Sequence, residues 1–178
     1  MDGIGAGAVL HENRKEVEAL SCKLPHSATV FAAEIQGVSI GVGLILDRFH
    51  VLKPRFLKIF CDSQAALKAL ASHQITSKLV AEASDKLQNL VNAGVNVRLV
   101  WVKAHVNHVG NERADVLAKE GTRLPNDDIV MVATPAIHFR NSIKAAAEAR
   151  WENEWEKYPH ARQTKQFSRQ SIPNYLSK

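Results

Sequence analysis

The sequence predicts an α/β fold, a sheet with helices packed on its faces. Short apolar, β-rich runs alternate with helical patterns in the order β-β-α-β-α-α-β-α over residues 1–122. Hydrophobic residues make up 46% of the 178 and charged residues 23%, which supplies a core and excludes a disordered chain. Gly94 and Gly121 stand where two of the helical patterns stop.

The elements follow in order. Gly5-Ala6-Gly7-Ala8-Val9-Leu10 is small and apolar, and His11 to Lys15 is a polar turn. Val17, Ala19 and Ser21 then alternate with Glu18, Leu20 and Cys22, so the two runs predict a hairpin. Pro25 and His26 break it, and Ser27 or Thr29 caps a helix through Phe31 to Ile35. Gly37, Gly41 and Gly43 weaken that helix by roughly 1 kcal/mol each relative to alanine. Pro54 marks a boundary, and Phe56 to Cys61 is a strand ending at Asp62. A short helix follows over Ser63 to Leu70, with Asp62 or Ser63 as its N-cap. Ser77 to Ala93 carries Leu79, Val80, Ala83, Leu87, Leu90 and Val91 on one side of a helix. Val95 to Val102 is a strand, Ala104 to Val109 a loop, and Asn111 to Glu120 a helix with Ala114, Leu117 and Ala118 facing inward.

After Gly121 the character changes. Leu124 to Asp128 reads as a linker, Thr134-Pro135 as a helix start, and Phe139, Ile143, Ala147, Trp151 and Trp155 recur every four residues. That stripe is expected to pack against a domain, and the basic tail to be a flexible end. The expected organisation is a domain over 1–122 and a linker, amphipathic helix and basic tail over 123–178.

Charge and cysteine content narrow the function classes. Twenty-three Lys+Arg against 18 Asp+Glu give a net charge of +5, which permits a polyanionic partner without requiring one. Two cysteines exclude a disulfide scaffold and a four-cysteine zinc site, and they fit a reducing compartment. His105-x-x-His108 lacks a suitably spaced partner pair, so structural zinc is not expected. The N-terminus lacks the order of a signal peptide, and no apolar run approaches the ~20 residues of a membrane span. The expectation is a soluble intracellular protein, in cytoplasm or nucleus, with no membrane partner.

Three carboxylates are candidates for chemistry. Glu34 sits among the helix neighbours Val30, Phe31 and Val38, where burial is costly unless something pairs with it; a helix edge reaching solvent is the plain alternative. Asp62 ends an apolar strand before a helix, which suits an ordinary N-cap or a ligand site at a strand's C-terminal end. Asp115 lies beside the buried stripe of the last domain helix, near Glu112 and Lys119, where a solvated salt-bridging face is the plain reading.

The surrounding strings set these carboxylates in a pattern. Trp101 to His108 is a strand leading into a histidine-containing loop, followed by Gly110-Asn111-Glu112-x-Ala114-Asp115-x-Leu117-Ala118. Ala33-Glu34-Ile35 and Phe60-Cys61-Asp62-Ser63-Gln64-Ala65-Ala66 precede it in order. These three motifs resemble those of the type 1 ribonuclease H family over about Gly5 to Thr122. In style, including Trp151-x-x-x-Trp155 and Gln163-Thr164-Lys165, the chain looks most like the ribonuclease H domain that ends insect non-LTR retrotransposon polyproteins. The resemblance implies a ribonuclease H-like mixed sheet and metal-dependent cleavage of the RNA strand of RNA–DNA hybrids. It implies that Glu34, Asp62 and Asp115 hold Mg²⁺, for which Mn²⁺ substitutes, and that His105 assists proton transfer or product release. Ser63 and Asn111 would contact the substrate, and an upstream reverse transcriptase domain would be a partner. Hard oxygen ligands suit Mg²⁺, and clustered carboxylates need cations.

One departure stands out. The family begins with a central strand ending in T-D-G-S, whose Asp is a fourth carboxylate, but only four residues precede Gly5 here. Asp2-Gly3 has no strand before it, so Asp2 reads as part of a turn. The first strand is therefore expected to be missing and sheet edges to be left unpaired. Two further readings stay open beside the nuclease: a catalytically dead module that binds nucleic acid or tethers a polyprotein, and a remnant without function. Oligomeric state is not legible.

Overall fold

A computed structural model describes residues 3–75, 77–104, 106, 108–132 and 136–157, the side chains of 136–139, 141, 142 and 156 excepted. Asp2, His105, Thr134, Pro135 and the tail from 158 onward lie outside the described residues. The chain forms two compact units, 1–134 and 135–178.

The first unit opens with a hairpin. Strand β1 (Ile4–Glu12) pairs antiparallel with β2 (Lys15–Leu24), with a bulge between Leu10 and His11. The turn is tighter than the polar run suggests. Only Asn13 and Arg14 form it, at φ of 51° and 66°, because left-handed residues match the twist of the two strands. Helix α1 (Val30–Asp47) is capped by the Thr29 hydroxyl, which accepts from the Ala32 N–H at 3.0 Å. It runs well past Ile35, through all three glycines. Its buried Ile35, Val38, Val42 and Ile45 anchor it in the core, and that burial outweighs the propensity cost. By length and composition alone this helix would also cross a membrane, but it is the unit's core helix.

A short helix α2 (Phe49–Leu52), absent from the sequence pattern, turns the chain before Pro54. Strand β3 (Phe56–Cys61) is followed by α3 (Gln64–Leu70) and α4 (Lys78–Asn92). Helix α4 buries Leu79, Val80, Ala83, Leu87 and Leu90 as its periodicity predicts, and Gly94 ends it at φ 86°. Val91 corrects the pattern: it is 46% exposed, at the far edge of the stripe. Strand β4 (Asn96–Trp101) pairs parallel with β3, Phe56 opposite Asn96 through Cys61 opposite Trp101.

Helix α5 (Val109–Thr122) lies against the hairpin. Gly121, expected to terminate it, sits inside its last turn. A Cβ there would collide with the backbone of Cys22, so this glycine serves close helix–strand approach rather than chain reversal. Gly7 of β1 has the same role, since a Cβ would lie 2.5 Å from Leu117 Cβ and 2.7 Å from Ala118 N. Successive strand residues point to opposite faces, and Ala8 faces Gly41 of α1. Helices α1 and α5 thus cover opposite faces of β1, the predicted arrangement. Beyond α5 the segment that reads as a linker is partly pinned. A 3-10 turn at Asn126–Asp128 leads to Val130, whose N–H donates to the Lys23 carbonyl at 2.8 Å, and Val132 is buried.

The strands form two separate pairs, β1-β2 and β3-β4. No Cα of β1 lies within 8 Å of a Cα of β3.

The second unit, among its described residues, is helix α6 (Ala136–Lys157). Of the four-residue stripe, Ile143 is 69% exposed, and Trp151 and Trp155 stack with ring centroids 5.7 Å apart. The side chain of Phe139 lies outside the described residues.

Candidate active site

The C-terminal end of β3 sets the site. Asp62 is the residue where the strand stops and α3 starts. The N-cap role falls to Ser63, whose Oγ accepts from the Ala66 N–H at 3.2 Å. This leaves the Asp62 carboxylate available to the cleft. Its Oδ2 accepts from Nδ2 of Asn111 at 3.2 Å, and its carbonyl accepts from the indole N–H of Trp101 at 3.0 Å. Asn111 is buried on the first turn of α5, so its amide is held toward Asp62 by packing. The two residues assigned to substrate contact therefore make intramolecular bonds: Ser63 caps a helix and Asn111 orients a carboxylate.

Glu34 comes from α1, on the side turned to the same cleft. Its carboxyl accepts the Cys61 S–H at 3.8 Å. Donor atoms of Glu34, Cys61 and Asp62 all lie within 4.8 Å of one another. Asp115, on α5, lines the same cleft and adds its negative charge to the field at Glu34. The structure thus brings Glu34, Asp62, Asp115, Ser63 and Asn111 together. His105 lies outside the described residues.

Electrostatics at this cluster are unfavourable without a counter-charge. Burial pushes the Glu34 carboxyl above its usual range, and the charges of Asp62 and Asp115 push it further, while the Cys61 hydrogen bond opposes them. The Cys61 thiol is buried and its pKa is pushed up to about 11, chiefly by desolvation. Without a metal it stays protonated at neutral pH and donates its S–H to Glu34. A set of clustered carboxylate oxygens fits a hard divalent cation.

Two residues of the site carry no functional expectation from the sequence. Cys61 reads there only as part of a strand, and its place beside Asp62 is the available signal. His108 reads as half of a zinc pair that lacks partners; it is the N-cap residue of α5, meets the Phe60 ring in a tilted contact with centroids 5.0 Å apart and has a buried Nδ1 without a hydrogen-bond partner among the described residues.

The carboxylates lie in a cleft of about 780 Å³ bounded by β1, α1, β3 and α5. An α/β unit with acidic groups converging at a strand end defines the class, a fold suited to divalent-metal chemistry on phosphate esters. A sequence model of the RNase H family matches residues 2–123, and the chain belongs to the ribonuclease H family. Members of this family act on RNA–DNA hybrids and use divalent metals. The chain is 30% identical over 97 residues to a ribonuclease H of Ralstonia nicotianae, an alignment covering 48% of this chain and 64% of that protein. It thus spans just under two thirds of that relative's length. Among solved structures it is similar to RNase H1 from the halophilic archaeon Halobacterium salinarum, with a TM-score of 0.51 at 21% identity over 66% of this chain and 83% of the other. The N-terminal RNase H domain of Rv2228c from Mycobacterium tuberculosis gives 0.50 at 14% identity over 67% and 90%. Both likenesses concern the fold, which agrees with the α/β expectation.

Proposed function

We propose that this chain is a metal-dependent endonuclease that cleaves the RNA strand of RNA–DNA hybrids. The observation that carries the reading is the convergence of Glu34 and Asp62 within 4.8 Å, beside Asp115, in a cleft. Glu34, Asp62 and Asp115 would hold Mg²⁺, with Mn²⁺ as a substitute. When bound, such ions neutralise clustered carboxylates, activate water and stabilise the leaving 3′ oxygen. Asn111 holds Asp62 in a single orientation through its amide. His105 assists proton transfer or product release, and Ser63 and Asn111 touch the substrate backbone. The hybrid is told from a DNA duplex partly through its 2′-hydroxyls.

The finer reading is a domain from an insect-type non-LTR retrotransposon polyprotein, acting inside the cell beside a reverse transcriptase domain. The separation of β1 from β3 favours a second reading, a fold that binds nucleic acid without turnover.

The test is cleavage of a fluorescent RNA–DNA hybrid in Mg²⁺ or Mn²⁺ by this chain, by its Asp62→Asn variant, and by a chain carrying an added N-terminal T-D-G-S strand. Cleavage lost in Asp62→Asn supports the nuclease. Cleavage that survives it overturns the site. Salt-sensitive hybrid binding without cleavage by any folded version selects the second reading.

A further inference from the structure

Cys61 is the last residue of β3 and is 6% exposed. Its Sγ lies 3.8 Å from Glu34 Oε2, a long contact for a thiol, which is a weak donor. Sγ and one carboxylate oxygen from each of Glu34 and Asp62 lie within 4.8 Å of one another. Among the described residues, no other three His, Cys, Asp or Glu side chains converge in this way. All three line the cleft, so an ion has an entry path to them. Tetrahedral Zn²⁺ bonds sulfur at about 2.3 Å and carboxylate oxygen at about 2.0 Å, which sets the two atoms ~3.5 Å apart. The observed 3.8 Å meets that value after a small side-chain rotation.

We infer that Cys61 is a metal-specificity residue: it adds a sulfur ligand to the Glu34 and Asp62 oxygens and directs this site to thiophilic divalent ions of the Zn²⁺ class. The inference rests on the reading of Glu34 and Asp62 as metal ligands. Mg²⁺ makes no use of the sulfur. It takes oxygen ligands, keeps several waters and leaves the thiol as a hydrogen-bond donor to Glu34. A thiolate instead selects Zn²⁺ and ions of similar softness. Binding is a ligand exchange with a defined balance. The S–H bond breaks, its electron pair forms the sulfur–metal bond, the proton leaves to solvent, and one water departs the ion. The cation takes the proton's place between sulfur and Glu34, and a coordinated thiol gives up its proton outright for that reason. Two classes of ion therefore compete for one cleft. The thiophilic ion occupies it at the lower concentration, because it alone gains the third anionic ligand.

The experiment uses the full 178-residue chain, kept reduced, with Co²⁺ as a spectroscopic stand-in for Zn²⁺. Saturation is expected to bring a near-ultraviolet sulfur-to-cobalt charge-transfer band, which added Zn²⁺ abolishes. The band is expected to vanish in Cys61→Ser and to persist in Cys22→Ala, which removes the other free thiol. Loss of an outer-shell partner weakens a metal site about 10- to 100-fold, so loss of the sulfur is expected to weaken Zn²⁺ at least that much. Mg²⁺ affinity, read by calorimetry, is expected to be unchanged in Cys61→Ser. Circular dichroism checks that each variant is folded. Zinc-edge X-ray absorption on the unmodified chain needs no variant and is expected to show one sulfur at about 2.3 Å. Bound Co²⁺ with ligand-field absorption but no sulfur band overturns the inference and leaves Glu34 and Asp62 standing as metal ligands. A band that survives Cys61→Ser, or equal Zn²⁺ affinity with and without the thiol, also overturns it. An unmodified chain that binds neither Co²⁺ nor Zn²⁺ at about 1 mM overturns the metal reading of the site together with the inference.

Discussion

Asp62 and Asn111 show how much one hydrogen bond can decide. Because Ser63 takes the cap, Asp62 is spared, and the Asn111 amide fixes its Oδ2 at 3.2 Å. A hydrogen bond to a charged group is worth about 1.5–3 kcal/mol. If that orientation serves catalysis, Asn111→Ala lowers kcat for hybrid cleavage by about 10- to 100-fold, with a smaller change in KM; single-turnover kinetics on a defined hybrid checks this. Glu34 gives a prediction in pH. Its folded carboxyl titrates above the ordinary value of 4.5, so the native state holds this proton more tightly than the unfolded chain does. The stabilisation is complete below about 4.5 and is lost as pH rises through the higher folded value. In EDTA, Glu34→Gln is therefore more stable than the parent at neutral pH, and the gap closes on acidification below the ordinary value. Thermal melts across pH read the sign directly.

At the scale of elements, glycines divide into those that must stay and those that need not. Gly43 lies inside α1, where an added Cβ would meet nothing within 4 Å, so Gly43→Ala stabilises by about 0.5–1 kcal/mol through helix propensity alone. Gly121 meets the Cys22 backbone, which cannot move aside, so Gly121→Ala destabilises by about 1–3 kcal/mol as an overpacking change. Urea unfolding of the two variants separates the cases, and equal effects would contradict the packing of α5 on β2. Propensity read alone treats these two residues alike and assigns Gly121 to a helix end. The reason is that a glycine's neighbours in space are set by the hairpin, not by its neighbours in the chain. The regular elements are better matched. The α4 stripe, the β3 run and the α5 pattern are legible because periodicity is a local property. The extension of α1 through Gly37, Gly41 and Gly43 is not, since its stability comes from burial against other elements.

At the scale of the molecule, a net charge of +5 and the proposed polyanionic substrate make affinity a function of salt. Hybrid binding is expected to weaken by roughly 10²-fold between about 50 and 200 mM salt, as counterion release by a few phosphate contacts requires. Fluorescence anisotropy of Asp62→Asn on a labelled hybrid measures it without turnover. A flat salt profile would remove the electrostatic basis of the reading.

The sequence by itself determined the family and the order of the elements other than α2, and it singled out Glu34, Asp62 and Asp115 as candidates, because motifs and periodicities are written in neighbouring residues. It also carried the expectation of unpaired sheet edges, through the comparison with the family's first strand. Tertiary structure alone decided that Ser63 rather than Asp62 caps α3, that Asn111 faces Asp62, and that Cys61 sits against Glu34. It alone held β1 and β3 more than 8 Å apart along one cleft lined by α1 and α5. These are relations between residues far apart in the chain, and their geometry follows from how the helices and strands pack rather than from any local pattern.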